Sequence, residues 1–244
     1  VICRDDAVIC GQAWFDETFR QLDAGIAITW SCSDGAAVAA GSAVCRIKGK
    51  ARAILTAERT ALNFLQTLSA TATAAARFVQ AVAGTGAVIL DTRKTIPGFR
   101  AAQKYAVRCG GASNHRLGLH DAILIKENHI AALGSIEAAV EKARAVAGNR
   151  LVEVEVETME QVAAALRSSA DRLLLDNFPL DTLRAAVALK RQLAARQTLE
   201  ASGGVTLANV RAIAQTGVDF ISVGSITKNI AAVDYSLRIV GTDK

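Results

Sequence analysis

The chain has 244 residues, about half of them apolar, few aromatic, with a net charge of +5. That length fits one large α/β domain, or a large domain with a small one, with apolar material enough for a substantial core. The charge is modest and no Lys/Arg run is interleaved with aromatics, which argues against nucleic acid as a partner. The five cysteines are scattered, with no C-x-x-C and no Cys/His cluster at zinc spacing, which argues against a disulfide framework or a zinc ribbon.

Residues 1–56 are rich in Gly, Ser and β-branched residues. Asp34-Gly35 signals a turn, and Val38, Val44, Ile47 and Ile54 predict short strands. The pattern resembles the small sheets that carry biotin or lipoate, but Lys48 and Lys50 lie in a strand-like run and not at a hairpin tip, so it reads as scaffold. The chain opens at Val1 on apolar residues, and an N-terminally shortened copy is expected. From Glu58 the pattern becomes helical. Thr56 is the predicted cap, Leu62, Phe64, Leu65, Leu68, Phe78 and Val82 give an apolar face, and Gly84 and Gly86 end it. The uncharged stretch from Thr60 to Ala76 contains Asn63, Gln66, Ser69 and several Thr, so an amphipathic helix is expected and not a membrane span.

Strand and helix then alternate. Val88–Leu90, Ala122–Ile125, Leu151–Val156, Leu173–Leu175, Leu199–Ala201 and Phe220–Val223 read as strands, with a seventh expected near Ala112–Asn114. Helices are predicted from Arg100, after Ser135, after Thr158 (with Gln161 as a capping box), after Asp181 and after Thr206. Parallel strands need such crossovers, and this many uniform repeats favour a barrel over an open sheet. The fold class expected is α/β, an incomplete parallel barrel of about seven strands with a smaller α/β sandwich domain. Residues 1–62 with 231–244 would form the small domain and 63–230 the barrel.

The strand ends form a set: Asp91 to Lys94, Asn114 to Arg116, Lys126, Glu155, Asp176, Ser202 to Gly204, then Gly224-Ser225. Barrels place their chemistry on the rim made by strand C-termini. Early strands supply cations for a strongly anionic ligand. In Val152-Glu153-Val154-Glu155-Val156-Glu157, alternation puts three Glu on one face, where buried carboxylates require partners. Glu155 and Asp176 together suit Mg²⁺ bound with substrate phosphate. The glycine turns after the last two strands suit a phosphate. No base is evident beside Cys109, which reads as buried filler, and the cysteines together read as reduced thiols of a cytoplasmic protein.

Glu58-Arg59-Thr60-Ala61-Leu62-Asn63-Phe64-Leu65, Asp91-Thr92-Arg93-Lys94-Thr95 with Pro97-Gly98, Lys104-Tyr105-Ala106-Val107, Asn114-His115-Arg116-Leu117-Gly118-Leu119 and Ile125-Lys126-Glu127-Asn128-His129 resemble quinolinate phosphoribosyltransferase. Glu153 to Glu157, Leu175-Asp176-Asn177 and Ser222-Val223-Gly224 extend the resemblance over essentially the whole chain. It implies transfer of phosphoribosyl from phosphoribosyl pyrophosphate to quinolinate with loss of CO₂, Mg²⁺ as cofactor, and a homodimer with shared active sites. Arg59, Arg93, His115, Arg116 and Lys126 would hold the two carboxylates. Lys94 and Lys126 would neutralise the phosphoribosyl donor, while Glu155 and Asp176 would face the ribose and Mg²⁺; these four are the catalytic set the resemblance implies. Ser202, Gly203, Gly224 and Ser225 would hold the 5′-phosphate. Lys228-Asn229 departs from the family's usual residues there. Two other readings compete: a paralogous phosphoribosyltransferase for another acid, with an altered carboxylate clamp, and a non-catalytic anion-binding homologue, expected to lack Glu155 or Asp176.

Overall fold

The computed structural model describes residues 1–241, which fall into two compact units. One comprises Val1–Arg77, Thr95–Ala112 and the residues from Ile226 onward; the other comprises Phe78–Lys94 and Ser113–Ser225. The contacts therefore divide the chain at Arg77 and Phe78, later than the 62–63 boundary expected, and bring residues 95–112 into the first unit.

The first unit opens with β1 (Ile2–Cys3), β2 (Ala7–Val8), α1 (Gln12–Leu22), β3 (Ala27–Trp30), β4 (Ala37–Val38), β5 (Cys45–Lys48) and α2 (Ala51–Ala81). Antiparallel pairs join β2 to β4 and β3 to β5. The helix α1 lies where only strands and turns are predicted. Phe15 and Phe19, one turn apart, bury its inner face, with Phe15 edge-on to Trp30 at 5.1 Å between centroids. Its start carries no capping side chain of its own; instead Asp34 Oδ1 accepts the N–H groups of Gly11 (3.0 Å) and Gln12 (3.3 Å).

Helix α2 begins at Ala51, ahead of the predicted Glu58, and takes in Ile54, which is therefore not in a strand. Thr56 is inside the helix and donates to the Arg52 carbonyl instead of capping. Ile54, Ala57, Ala61, Leu65, Leu68, Ala72 and Ala75 are buried at steps of three or four residues, the spacing of one helical face. Each fully buried Leu on that face contributes about 1.5–3 kcal/mol.

The chain continues through β6 (Val88–Leu90), α3 (Arg100–Cys109), β7 (Ala122–Ile125), α4 (Glu127–Leu133), α5 (Ile136–Ala147), β8 (Leu151–Val156), α6 (Met159–Arg167), β9 (Arg172–Asp176), α7 (Leu180–Gln192), β10 (Thr198–Ser202), α8 (Val210–Ala214), β11 (Phe220–Ser222), α9 (Ser225–Lys228) and β12 (Tyr235–Ser236). The last strand pairs antiparallel with β1, returning the C-terminal segment to the first unit. In that unit α3 ends at Gly110, where an added methyl would lie 2.2 Å from the Ala72 carbonyl oxygen of α2; the chain passes there only as glycine.

Six strands make one parallel sheet in the order β6-β11-β10-β9-β8-β7. The seventh strand is reduced to a bridge between Leu90 and Ser113, in which the Ser113 N–H donates to the Ile89 carbonyl at 2.9 Å. In chain order the ring is closed from β11 back to β6 and interrupted between Ser113 and β7, where no ladder forms among the described residues. This is the incomplete α/β barrel expected. Leu173, Leu175, Leu199, Ala201 and Ile221 are buried on one face of the sheet, as strands covered by crossover helices require.

Ser135 caps α5 through the Ala138 N–H, and Thr158 with Gln161 forms the predicted box on α6. Asp181 is not a cap: α7 starts after Pro179, and Asp181 pairs with Arg184 at 2.6 Å. Nor does the Thr206 side chain cap α8, which starts after Asn209; the Asn209 side chain accepts the Thr206 N–H. Among the described residues no helix is long and apolar enough to cross a membrane.

Candidate active site

Parallel strands end their carboxyl sides at one rim, and on β8 the alternation sets three Glu at three depths. Glu153 is fully buried, Glu155 half-buried and Glu157 exposed. The registers Glu155 with Leu174 and Ser202 with Asp176 place Glu155, Asp176 and Ser202 towards the same end of adjacent strands. Each is half-buried, the exposure a rim position calls for.

Glu155 accepts from Lys126 Nζ at 2.7 Å, so two of the expected site residues pair with each other. Lys126 stands just before α4, a helix that sequence periodicity does not show. Its main-chain N–H donates to His129 Nδ1 at 2.9 Å. His129 thus orients the Lys126 turn.

Asp91, at the end of β6, is fully buried beneath the cationic loop. Its Oδ2 accepts from Asn114 Nδ2 at 2.7 Å and its Oδ1 from the His115 main-chain N–H at 2.8 Å. Next to it Arg116 is half-buried. Burial, and secondarily the charge of Arg93, hold its pKa below the usual guanidinium value.

The His115 ring turns into the sheet. Its Nε2 lies 2.9 Å from Glu153 and 3.4 Å from Glu200, and its Nδ1 accepts the Arg116 main-chain N–H at 2.7 Å. Burial alone would lower the His115 pKa, but the two carboxylates outweigh it and hold it at about 9. The two indications pull apart: the carboxylates favour an imidazolium, whereas a donor at Nδ1 requires a bare nitrogen there. The geometry decides for one ring proton on Nε2, and a second proton requires the Arg116 N–H to let go. Glu200 is held below the ordinary range: burial opposes this, but His115, Arg172 and Ser222 prevail. Glu153 is raised by its burial and by neighbouring Glu200.

Arg172 completes this cluster. Its guanidinium lies 3.0 Å from Glu200 and 3.9 Å over the Phe220 ring centroid. The ligand atoms of His115, Glu153 and Glu200 are within 4.8 Å of one another, near enough to grip a cation, but Arg172 already supplies positive charge there and the imidazole Nε2 already carries its proton. Glu153, Arg172 and Glu200 were not singled out as site residues by sequence. The available signal was a lone charge within an apolar strand, as in Leu199-Glu200-Ala201.

At the phosphate end, Gly203 has φ +94°, and a methyl there would lie 2.1 Å from Asn177 Oδ1. Glycine is required both for the turn and for the approach of Asn177. Gly203→Ala is expected to lower stability by at least about 1 kcal/mol in chemical denaturation, and unchanged stability would count against this account. Gly224 is beside Lys94: a methyl there would meet the Lys94 side chain at 3.2 Å. Ser225 opens the short α9. Arg59 is exposed on α2 in the first unit, whereas the other expected cations belong to the sheet unit. Cys10, Asp34 and Cys109 form a second close group, in the first unit, and all five cysteines are free thiols.

Comparison with known proteins agrees with this architecture. Residues 1–69 match the family description "Quinolinate phosphoribosyl transferase, N-terminal domain" and residues 71–238 match "Quinolinate phosphoribosyl transferase, C-terminal domain". The chain is 45% identical over 215 residues to the nicotinate-nucleotide pyrophosphorylase [carboxylating] of Mycobacterium leprae, covering 88% of this chain and 76% of that protein. It is 38% identical over 240 residues to the protein of the same name from Homo sapiens, covering 97% and 80%. The solved structure of the nicotinate-nucleotide pyrophosphorylase from Francisella tularensis superposes with a TM-score of 0.92 at 50% identity, covering 96% of this chain and 82% of that one.

Proposed function

The chain belongs to the quinolinate phosphoribosyltransferase family, and from that premise we propose how its own residues carry the family reaction. The enzyme is a nicotinate-nucleotide pyrophosphorylase (carboxylating): quinolinate and phosphoribosyl pyrophosphate give nicotinate mononucleotide, pyrophosphate and CO₂, a step of NAD biosynthesis. The observation that carries the assignment of the acid pocket is the placing of half-buried Arg93, Arg116 and Lys126 just after β6, the Ser113 bridge and β7, at the carboxyl rim of the sheet. Forked guanidiniums suit planar carboxylates, and several cations at one partly dry rim favour a strongly anionic ligand.

Arg93, Arg116 and Lys126 hold the two acid groups, joined by Arg59 from a second copy of the chain in a homodimer. The pyridine nitrogen then attacks the anomeric carbon as pyrophosphate leaves. Positive charge grows on the ribose, and Glu155 and Asp176 face it from adjacent strands. Lys94 neutralises the departing phosphates. The adjacent C2 carboxylate then leaves as CO₂; the electron pair of the broken bond stays on C2, stabilised by the neighbouring pyridinium charge, and C2 takes a proton from solvent to give nicotinate mononucleotide. Ser202, Gly203, Gly224 and Ser225 bind the 5′-phosphate.

Two carboxylates at one end of neighbouring strands fit Mg²⁺, which takes one or two protein carboxylates and completes its shell with water and phosphate. When bound, the ion would neutralise the pyrophosphate. Breaking the Lys126–Glu155 pair, at 2.7 Å, would free the lysine for substrate and the carboxylate for ribose or metal. Free thiols throughout suit a reducing, cytoplasmic setting.

Formation of nicotinate mononucleotide from quinolinate and phosphoribosyl pyrophosphate tests the whole reading. Asp176→Asn is expected to cut turnover by about a hundredfold while calorimetry shows quinolinate binding intact. Loss of quinolinate binding in the folded variant would move Asp176 into the acid pocket and end this division of roles.

A further inference from the structure

We propose that Glu200, with Glu153 and Arg172, is a positioning group for the acid-binding loop: it fixes the His115 ring inside the barrel and thereby the backbone from which Arg116 projects. The inference rests on the reading of Arg116 as a quinolinate ligand.

A buried strand interior is most cheaply filled with apolar side chains, and a buried ion cluster of this kind is weak as a source of stability. This one is aimed. Arg172 is held in place by Glu200 at 3.0 Å and by the Phe220 ring beneath it. Glu200 and Glu153 face the same imidazole nitrogen from β10 and β8, on either side of β9. The other imidazole nitrogen takes the main-chain N–H of Arg116, so ring and backbone form one hydrogen-bonded piece. From the far side, Asp91 holds Asn114 and the His115 N–H. The loop is thus gripped at residues 114, 115 and 116. With both ring nitrogens engaged inside the protein, the His115 ring is held in one orientation and the Arg116 backbone with it.

The 244-residue chain contains three histidines, so labelled with ¹⁵N-histidine it shows three ring systems, assigned with His120→Asn and His129→Asn. The wild type is expected to show His115 protonated on Nε2 with Nδ1 hydrogen-bonded. Glu200→Gln should lose that signature. Its KM for quinolinate should rise at least about tenfold, since small misplacements of a binding group are costly, while its KM for phosphoribosyl pyrophosphate stays unchanged. Glu200→Asp, which keeps the charge, should recover part of the loss.

Removing the Glu200 charge takes away the carboxylate 3.0 Å from Arg172, so Glu200→Gln/Arg172→Met replaces Glu200→Gln if the single variant does not fold; the same split is expected. A folded variant that keeps the wild-type imidazole signals and quinolinate KM overturns the proposal. So does equal weakening of both substrates, which marks general damage. If the wild type does not use quinolinate, the assignment of the acid fails, and the imidazole signals still judge the clamp.

Discussion

Given phosphoribosyl pyrophosphate, the enzyme is expected to convert quinolinate and to leave nicotinate essentially unreacted. Nicotinate has the same ring with one carboxylate fewer. Arg93, Arg116 and Lys126 sit at one rim, each only half exposed, so their charges have already lost part of their water. Filling the pocket with an acid that satisfies only some of them leaves the rest desolvated, and an unmet charge in such a place costs several kcal/mol. Sites built around a polar group reject analogues lacking it far more strongly than apolar pockets reject a missing methylene. The expected discrimination is at least about a thousandfold in kcat/KM. Product formation from each acid, at matched concentrations, measures it directly. Comparable turnover of the two acids would show that the second carboxylate has no dedicated partners here.

The rim was legible because charges ending apolar runs carry their own position. Lys126 after Ala122–Ile125 and Asp176 after Leu173–Leu175 lie where strand periodicity puts them. The Val-Glu alternation of β8 was legible too, but not the depth of each Glu. Glu153 is buried because His115, Arg172 and Glu200 come to it from other segments, and no pattern within six residues encodes that meeting. The same limit hid α1. Its N-terminal hydrogen bonds come from Asp34, a turn residue later in the chain, and its own Gly11 looks like a breaker. Thr56, Asp181 and Thr206 misled for the converse reason: capping residues are also tolerated inside helices and beside them, and the choice is made by packing. The weak seventh strand was foreseen, yet its contraction to one bridge at Ser113 depends on where the loop to β7 must travel.

Arg59→Ala and Lys126→Ala are each expected to be inactive alone and to restore each other when mixed. Arg59 is exposed on α2 and belongs to the first unit, while Lys126 belongs to the sheet unit. In the proposed homodimer Arg59 of one copy completes the acid pocket of the other. A two-fold axis then gives two composite sites, each needing Arg59 from one chain and Lys126 from its partner. After complete subunit exchange at equal amounts, half the dimers are hybrids. In each hybrid both lesions fall in one site and the other site is intact. Roughly one site in four therefore recovers, by the symmetry of the dimer. If Arg59 instead served its own chain, every site in a hybrid would carry one lesion and mixing would restore nothing. Native mass spectrometry of differently tagged chains reports hybrid formation independently of activity. Hybrids that form and stay inactive would rule out the shared site, and a monomeric wild-type enzyme with full activity would do the same.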